Sequence, residues 1–163
     1  MGMHTTPYKT HLDQLKDLDQ MVGKELGITD WTVIDQERID VFANLTEDRQ
    51  WIHTNPEKCA EESPYNKTIA HGFLVLSLAS KFSYEVLKIK DVTMGVNYGL
   101  DKVRFIQAVP SGSRIRGRIN IVSIDHFPGG AKYKTQIIFE LAGAEKPACV
   151  AEFIAMAYTM SLP

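Results

Sequence analysis

The sequence predicts an α+β domain whose antiparallel sheet curls around one apolar helix. Three observations carry this. The hydrophobic period is helical up to about residue 90 and two-residue beyond it. The segment 72–87 is apolar on nearly every side, so it needs cover all round. Pro110-Ser111-Gly112, Pro128-Gly129-Gly130 and Gly143 then punctuate the second half at hairpin spacing.

In chain order, the first ten residues read as a loose tail. Residues 12–22 read as a polar helix, with Leu12, Leu15, Leu18 and Val22 at helical spacing and Gly23 and Gly27 near its end. Trp31-Thr32-Val33-Ile34 is a short β-rich run. Asp35 is placed to cap a second helix, although Arg38 stands where a full capping box has Glu or Gln. Ile39, Phe42, Ala43 and Leu45 supply that helix's apolar stripe. Residues 46–67 break the pattern with Pro56, Pro64 and runs of acids and amides, and read as a long loop with one helical turn after Pro56. Trp51, Ile52 and Tyr65 argue that this loop is ordered and functional. The helix over 72–87 follows: Phe73, Leu74, Val75, Leu76, Leu78, Ala79, Phe82 and Val86 leave little polar face until Lys81, Glu85 and Lys88. Four alternating runs complete the chain. Val103 and Phe105 mark the first, and Ile115, Gly117, Ile119 and Ile121 the second, set against Arg114, Arg116, Arg118 and Asn120. Tyr133, Thr135, Ile137, Phe139 and Leu141 mark the third, and residues 150–160 form the last.

At 163 residues, 44% apolar and 23% charged, the chain fits a single domain over 1–163. A net charge of −2 gives no electrostatic case for nucleic acid or an anionic membrane. No run approaches the ~20 apolar residues a bilayer span needs. The start, MGMHTTPYKTHLDQ, lacks a basic patch followed by an apolar stretch, so no secretory signal is expected. Cys59 and Cys149 show no paired spacing and read as reduced thiols. A cytoplasmic enzyme or binding domain is the expectation.

The chemistry concentrates in Asp48-Arg49-Gln50-Trp51-Ile52-His53 and Thr68-Ile69-Ala70-His71-Gly72. A carboxylate five residues from an imidazole in a loop can fold back to form an acid–base pair that holds a water. The same two residues also fit plain surface polarity. Gly72 opens the apolar helix, where amides lack internal partners and no Cβ blocks a carbonyl oxygen, so its N–H fits an oxyanion hole. His71 either caps the helix, bonds in the core or supports the site. Ser77 and Ser80 fit back-bonding to the helix as well as a supporting role. The Arg114/Arg116/Arg118 row reads as a solvated strand face, with phosphate binding as the alternative. Gln50 and Trp51 shape the loop. Asp48, His53 and His71 do not match a metal-ligand spacing, so no metal is expected.

The stretch 42–82 resembles the MaoC-like dehydratases, which include the (R)-specific enoyl-CoA hydratases, and especially their nodulation-protein-N-like branch. The hydratase signature Asp-x-Asn-Pro-x-His is matched by Asp48 and His53, and Ile-(Ala/Val)-His-Gly by Ile69-Ala70-His71-Gly72, followed by Ser77 and Ser80. Asn97-Tyr98-Gly99-Leu100-Asp101-Lys102-Val103-Arg104-Phe105 is also similar to this branch. The inner Asn-Pro is replaced by Gln50-Trp51. An alternative register on Asn55-Pro56 fails, because it needs Asp at 53 and His at 58, where His53 and Lys58 stand.

The resemblance implies a hot-dog fold, a homodimer, no metal or redox cofactor, and an acyl-CoA substrate. It implies Asp48 and His53 as the catalytic pair, Gly72 as the thioester-oxygen donor, and Ser80, with Ser77 second, as support for the Asp48 loop. The implied reaction is reversible syn hydration of a trans-2-enoyl thioester. A thioesterase ranks below it, since 72–81 carries no Asp or Glu to activate water. A non-catalytic acyl-thioester-binding protein is the third reading. An acyl-carrier-protein substrate would want a basic patch, for which Arg114, Arg116, Arg118 and Lys102 are the candidates.

Overall fold

A computed structural model describes residues 5–159. The order is β1 (Thr10–Leu12), a 3-10 turn (Leu15–Met21), β2 (Glu25–Ile28), β3 (Thr32–Ile34), α1 (Gln36–Thr46), α2 (Trp51–Thr54), α3 (Pro56–Glu62), α4 (Gly72–Ser77), α5 (Ala79–Val86), β4 (Leu87–Ile89), β5 (Met94–Phe105), β6 (Ser113–Phe127), β7 (Gly130–Leu141) and β8 (Cys149–Tyr158). Six strands form an antiparallel sheet in the order β2-β6-β7-β8-β5, with β3 pairing further along β6. A separate parallel pair joins β1 to β4. Among the described residues no helix is long and apolar enough to cross a membrane.

The alternation in β6 to β8 turns one face of the sheet toward the helices. Leu74 and Val75 of α4 and Phe82 and Val86 of α5 share one core with Ile115, Ile119, Ile121, Ile137, Phe139, Ala151 and Phe153. Each such large side chain contributes about 1.5–3 kcal/mol on burial. Gly117 decides how close the helix comes. A Cβ there would stand 2.7 Å from a Phe82 ring carbon, so only glycine at this inward position lets α5 settle on β6. This is the α+β arrangement that the two periodicities predicted, and the hot-dog fold that the resemblance implied.

The structure corrects several local expectations. Residues 1–4 of the expected tail, and the end of the last run at Met160, lie outside the described residues. The rest of the tail is tied down: Tyr8 exchanges two 3.0 Å backbone hydrogen bonds with Ile28, and its hydroxyl donates to Glu25 at 2.6 Å. The helix expected over 12–22 is a 3-10 turn burying Leu15 and Leu18, with Leu12 given to β1 and Gly27 lying inside β2. The long helix breaks at Leu78, whose ψ of −5° leaves helical geometry. Leu45 is 80% and Phe73 70% exposed; Phe73 points past the core and meets Phe105 edge-on at 5.8 Å. Residues 46–67 hold two helices, α2 and α3, where one turn was expected.

The arginine row is the largest electrostatic correction. Arg116 and Arg118 are buried, because Glu140 on the neighbouring strand accepts from both, at 2.6 and 2.7 Å, and Glu25 pairs with Arg118 at 2.5 Å. Burial alone would raise the pKa of Glu140, but hydrogen bonds from Arg118 and Arg116 outweigh it and hold the carboxyl below its ordinary value. Charges neutralised internally offer little to a phosphate or an acidic carrier.

Replacing Gly117 with alanine forces a methyl into the Phe82 ring, and overpacking of this kind costs about 1–3 kcal/mol. Urea unfolding of G117A should show a lower midpoint at an unchanged slope. A wild-type midpoint would mean that α5 is not seated by this gap.

Candidate active site

The site is assembled from the end of α1, the short α2 and the start of α4. The Asp35 carboxylate accepts from the Arg38 N–H at 2.9 Å and fixes the start of α1. Glu47 then ends α1 in the left-handed region, at φ 63°, and directs Asp48 outward. One turn later α2 presents His53, which is buried with only 6% exposed. Ile69 stitches the two motifs together. Its N–H donates to the Ile52 carbonyl at 3.0 Å, and its own carbonyl accepts from His53 Nδ1 at 2.6 Å. The next residue, Ala70, donates to the Val109 carbonyl at 2.8 Å, tying this segment to the connection between β5 and β6.

A carbonyl only accepts, so His53 Nδ1 carries the proton and Nε2 is left for chemistry. His71 Nε2 donates to the Asp48 main-chain carbonyl at 2.9 Å. The His53 and His71 rings stack with centroids 3.7 Å apart and planes 24° apart, and Phe42 approaches His71 at 5.0 Å. A carboxylate oxygen of Asp48 and one nitrogen from each imidazole all lie within 4.8 Å of one another. Such a trio is a conceivable metal cage. Stacking argues against it, because in-plane lone pairs on two face-to-face rings run side by side instead of converging on one ion. Burial lowers the His53 pKa most; the Ile69 bond and the Asp48 charge pull it up, His71 pulls it down, and the net is below the ordinary value.

Gly72 contributes the first helical amide, which has no acceptor among the described residues. A Cβ there would lie 3.0 Å from the Phe105 ring, so glycine gives the closest fit where β5 crosses the helix start. The two serines do not join the pair. Ser77 donates to the Leu74 carbonyl at 2.7 Å, three residues back, and Ser80 accepts from Asn97 of β5 at 3.0 Å. The expected support of the Asp48 loop by Ser80 is therefore replaced by a tie to β5. Gln50 is exposed and acts through its backbone, accepting from the His53 N–H at 3.0 Å. Lys58 lies over the Trp51 ring at 4.8 Å. The acid nearest the end of α5, Glu85, is engaged by Lys81 and by the Asp30 N–H, which leaves it poorly placed to activate water.

Sequence reasoning missed Gln36. Its amide nitrogen donates to the His53 carbonyl and to Asp40, both at 2.8 Å, and its amide oxygen accepts from Thr68, so α1 clamps both halves of the site. A glutamine after an N-cap carries no signal of such a role. A cavity of about 890 Å³ lies between α5, β4, β5 and β8, lined by Ser80, Tyr84, Asn97, Tyr133 and Phe153. It is separate from Asp48, His53 and Gly72. Burial pushes the Tyr133 phenol up to about 12.

Because the folded state holds the His53 pKa below the unfolded value of about 6.5, the unfolded chain takes up more protons in that window. Stability should be full above pH ~6.5 and fall as pH drops through the folded midpoint. Ring-proton NMR should place the His53 midpoint below 6.5. A midpoint above 6.5 contradicts the burial argument.

Residues 17–138 match the MaoC-like domain model. The chain is 44% identical over 147 residues to Nodulation protein N of Rhizobium leguminosarum bv. viciae, covering 88% of this chain and 91% of that one. It is 41% identical over 143 residues to 3-hydroxyacyl-thioester dehydratase Z of Mycobacterium tuberculosis, covering 87% and 94%. In structure it is similar to the unliganded R-hydratase PhaJ1 of Pseudomonas aeruginosa, with a TM-score of 0.65 at 21% identity over 87% and 89% of the two chains. A family model spanning most of the chain, and relatives above 40% identity over nearly all of it, show that the chain belongs to the MaoC-like dehydratase family.

Proposed function

We propose that this chain adds water reversibly, by syn addition, to a trans-2-enoyl thioester, giving the (R)-3-hydroxyacyl thioester. One observation supports it above the rest: a carboxylate oxygen of Asp48 and a ring nitrogen of His53 lie within 4.8 Å of each other, and the helix that starts beside them has a first amide, at Gly72, with no acceptor among the described residues. The thioester oxygen accepts from the Gly72 N–H, which draws electrons from C3. A water held by Asp48 and His53 gives up one proton to the pair as its oxygen bonds to C3, and a proton from the pair reaches C2. This chemistry runs on protons alone, so the reading includes no cofactor, with the coenzyme A or carrier-protein thioester as substrate and the cytoplasm as its setting.

The reading includes a homodimer. β5 is an edge strand, and Val96, Tyr98, Leu100 and Phe105 on it are exposed together with Phe73 and Tyr84. An apolar edge of this length invites another strand. A second copy paired along β5 would shield Phe105, and with it the Gly72 amide, from bulk water.

Alanine at Asp48 or at His53 should each lower the turnover of crotonyl-CoA hydration by about two orders of magnitude or more. Near-normal rates in both variants overturn the mechanism. Sedimentation equilibrium should give twice the 18.3 kDa chain mass, and the V96K/L100K double variant should give the monomer. A monomeric wild type removes the dimer from this reading.

A further inference from the structure

Asp48 is the least anchored member of the pair. Residues 47–50 are all exposed, and among the described residues the Asp48 carboxylate has no hydrogen-bond or ion-pair partner. The bonds of its neighbours stay local: Arg49 N–H to Glu47 at 3.1 Å, and the Thr54 hydroxyl to Arg49 at 3.3 Å. What ties residue 48 to buried structure is the 2.9 Å bond from His71 Nε2 to its carbonyl. His71 is itself well held. It is 3% exposed, its own carbonyl accepts from Val75 at the helix start, and its ring meets Phe42 and stacks on His53. The bond also fixes the tautomer. Nε2 must carry the proton to donate, and Nδ1 is buried with no partner among the described residues.

We propose that His71 is a positioning residue: through one ring it holds the Asp48 backbone by hydrogen bond and the His53 imidazole by stacking, and so sets the register of the acid–base pair. Its part in turnover rests on the hydration reading above; its control of the Asp48–His53 geometry does not. Without the bond, loop 47–50 is free to swing, and a displacement of about 1 Å can cost 10²-fold in rate. The titratable groups facing His53 are Asp48 and His71. Gln36 and the Ile69 carbonyl, which also touch it, are uncharged, and Cys59 of α3 directs its thiol to the carbonyls of Trp51 and Ile52.

Three variants separate positioning from mere packing. His71→Phe keeps the stacked ring and loses the donor. His71→Gln can place an amide N–H where Nε2 stands, whereas the shorter amide of His71→Asn stops near the Nδ1 position. H71F should lose about 10²-fold in kcat with KM little changed, and H71Q should recover part of that loss. The deciding measurement is the His53 NMR titration with and without D48N. With His71 present, D48N removes a charge that raises the His53 pKa, so the midpoint falls. In H71F this fall should shrink, and in H71Q it should return. Should H71F not fold, H71N gives the same contrast with H71Q. A fall of equal size in every background overturns the proposal, as does a wild-type kcat in H71F. If the wild type fails to hydrate crotonyl-CoA, the hydration reading is what fails, and the titration cycle still decides the role of His71.

Discussion

The backbone of Ile69 is the constraint on which the site depends. In one residue it donates to the α2 carbonyl of Ile52, accepts from the His53 ring and bridges to Pro110 in the loop before β6. Two segments some sixteen residues apart are thereby locked before any side chain chooses a rotamer. A hydrogen bond into a buried imidazole also costs more to break than to form, because each partner would be left without water. His53 thus has a fixed tautomer, its proton on Nδ1 and its lone pair on Nε2.

The packing below supplies the second half of the arrangement. α5 sits close to β6 because Gly117 presents no side chain to Phe82, and α4 packs into the same core. At its beginning Gly72 leaves room for Phe105 to cross from β5. Two glycines of different purpose therefore determine the height of the helix over the sheet and the access to its first amide. The buried Glu140 cluster with Arg116 and Arg118 works on the far side of the same sheet. There it turns charges that look like a binding surface into a fastening between β6 and β7, and through Glu25 to β2.

Much of this is legible in the sequence, for definite reasons. The antiparallel runs from Ser113 to Tyr158 are long and largely alternating in sequence, so the two-residue period shows through. Asp35 announces α1 because its carboxylate fits one place only. Asp48, His53 and Gly72 stand out because their chemistry is specific, and the fold brings the first two together. The misses share a cause, which is dependence on partners distant in sequence. Tyr8 is ordered by Ile28 and Glu25, Ser80 is claimed by Asn97, and Arg116 and Arg118 are buried only because Glu140 lies across the ladder. Residues 51–62 are too short and too polar to show helical periodicity, yet Asn55 caps α3 by accepting from the Lys58 N–H at 2.9 Å.

The central claim is that one acid–base pair on one face of the substrate delivers both the oxygen and the proton. Hydration of crotonyl-CoA in deuterium oxide measures this directly, through the configuration of the product. The account predicts a single product with an (R) hydroxyl at C3 and one deuterium at C2 on the same face. An (S) alcohol, or deuterium on the opposite face or on both, would contradict it.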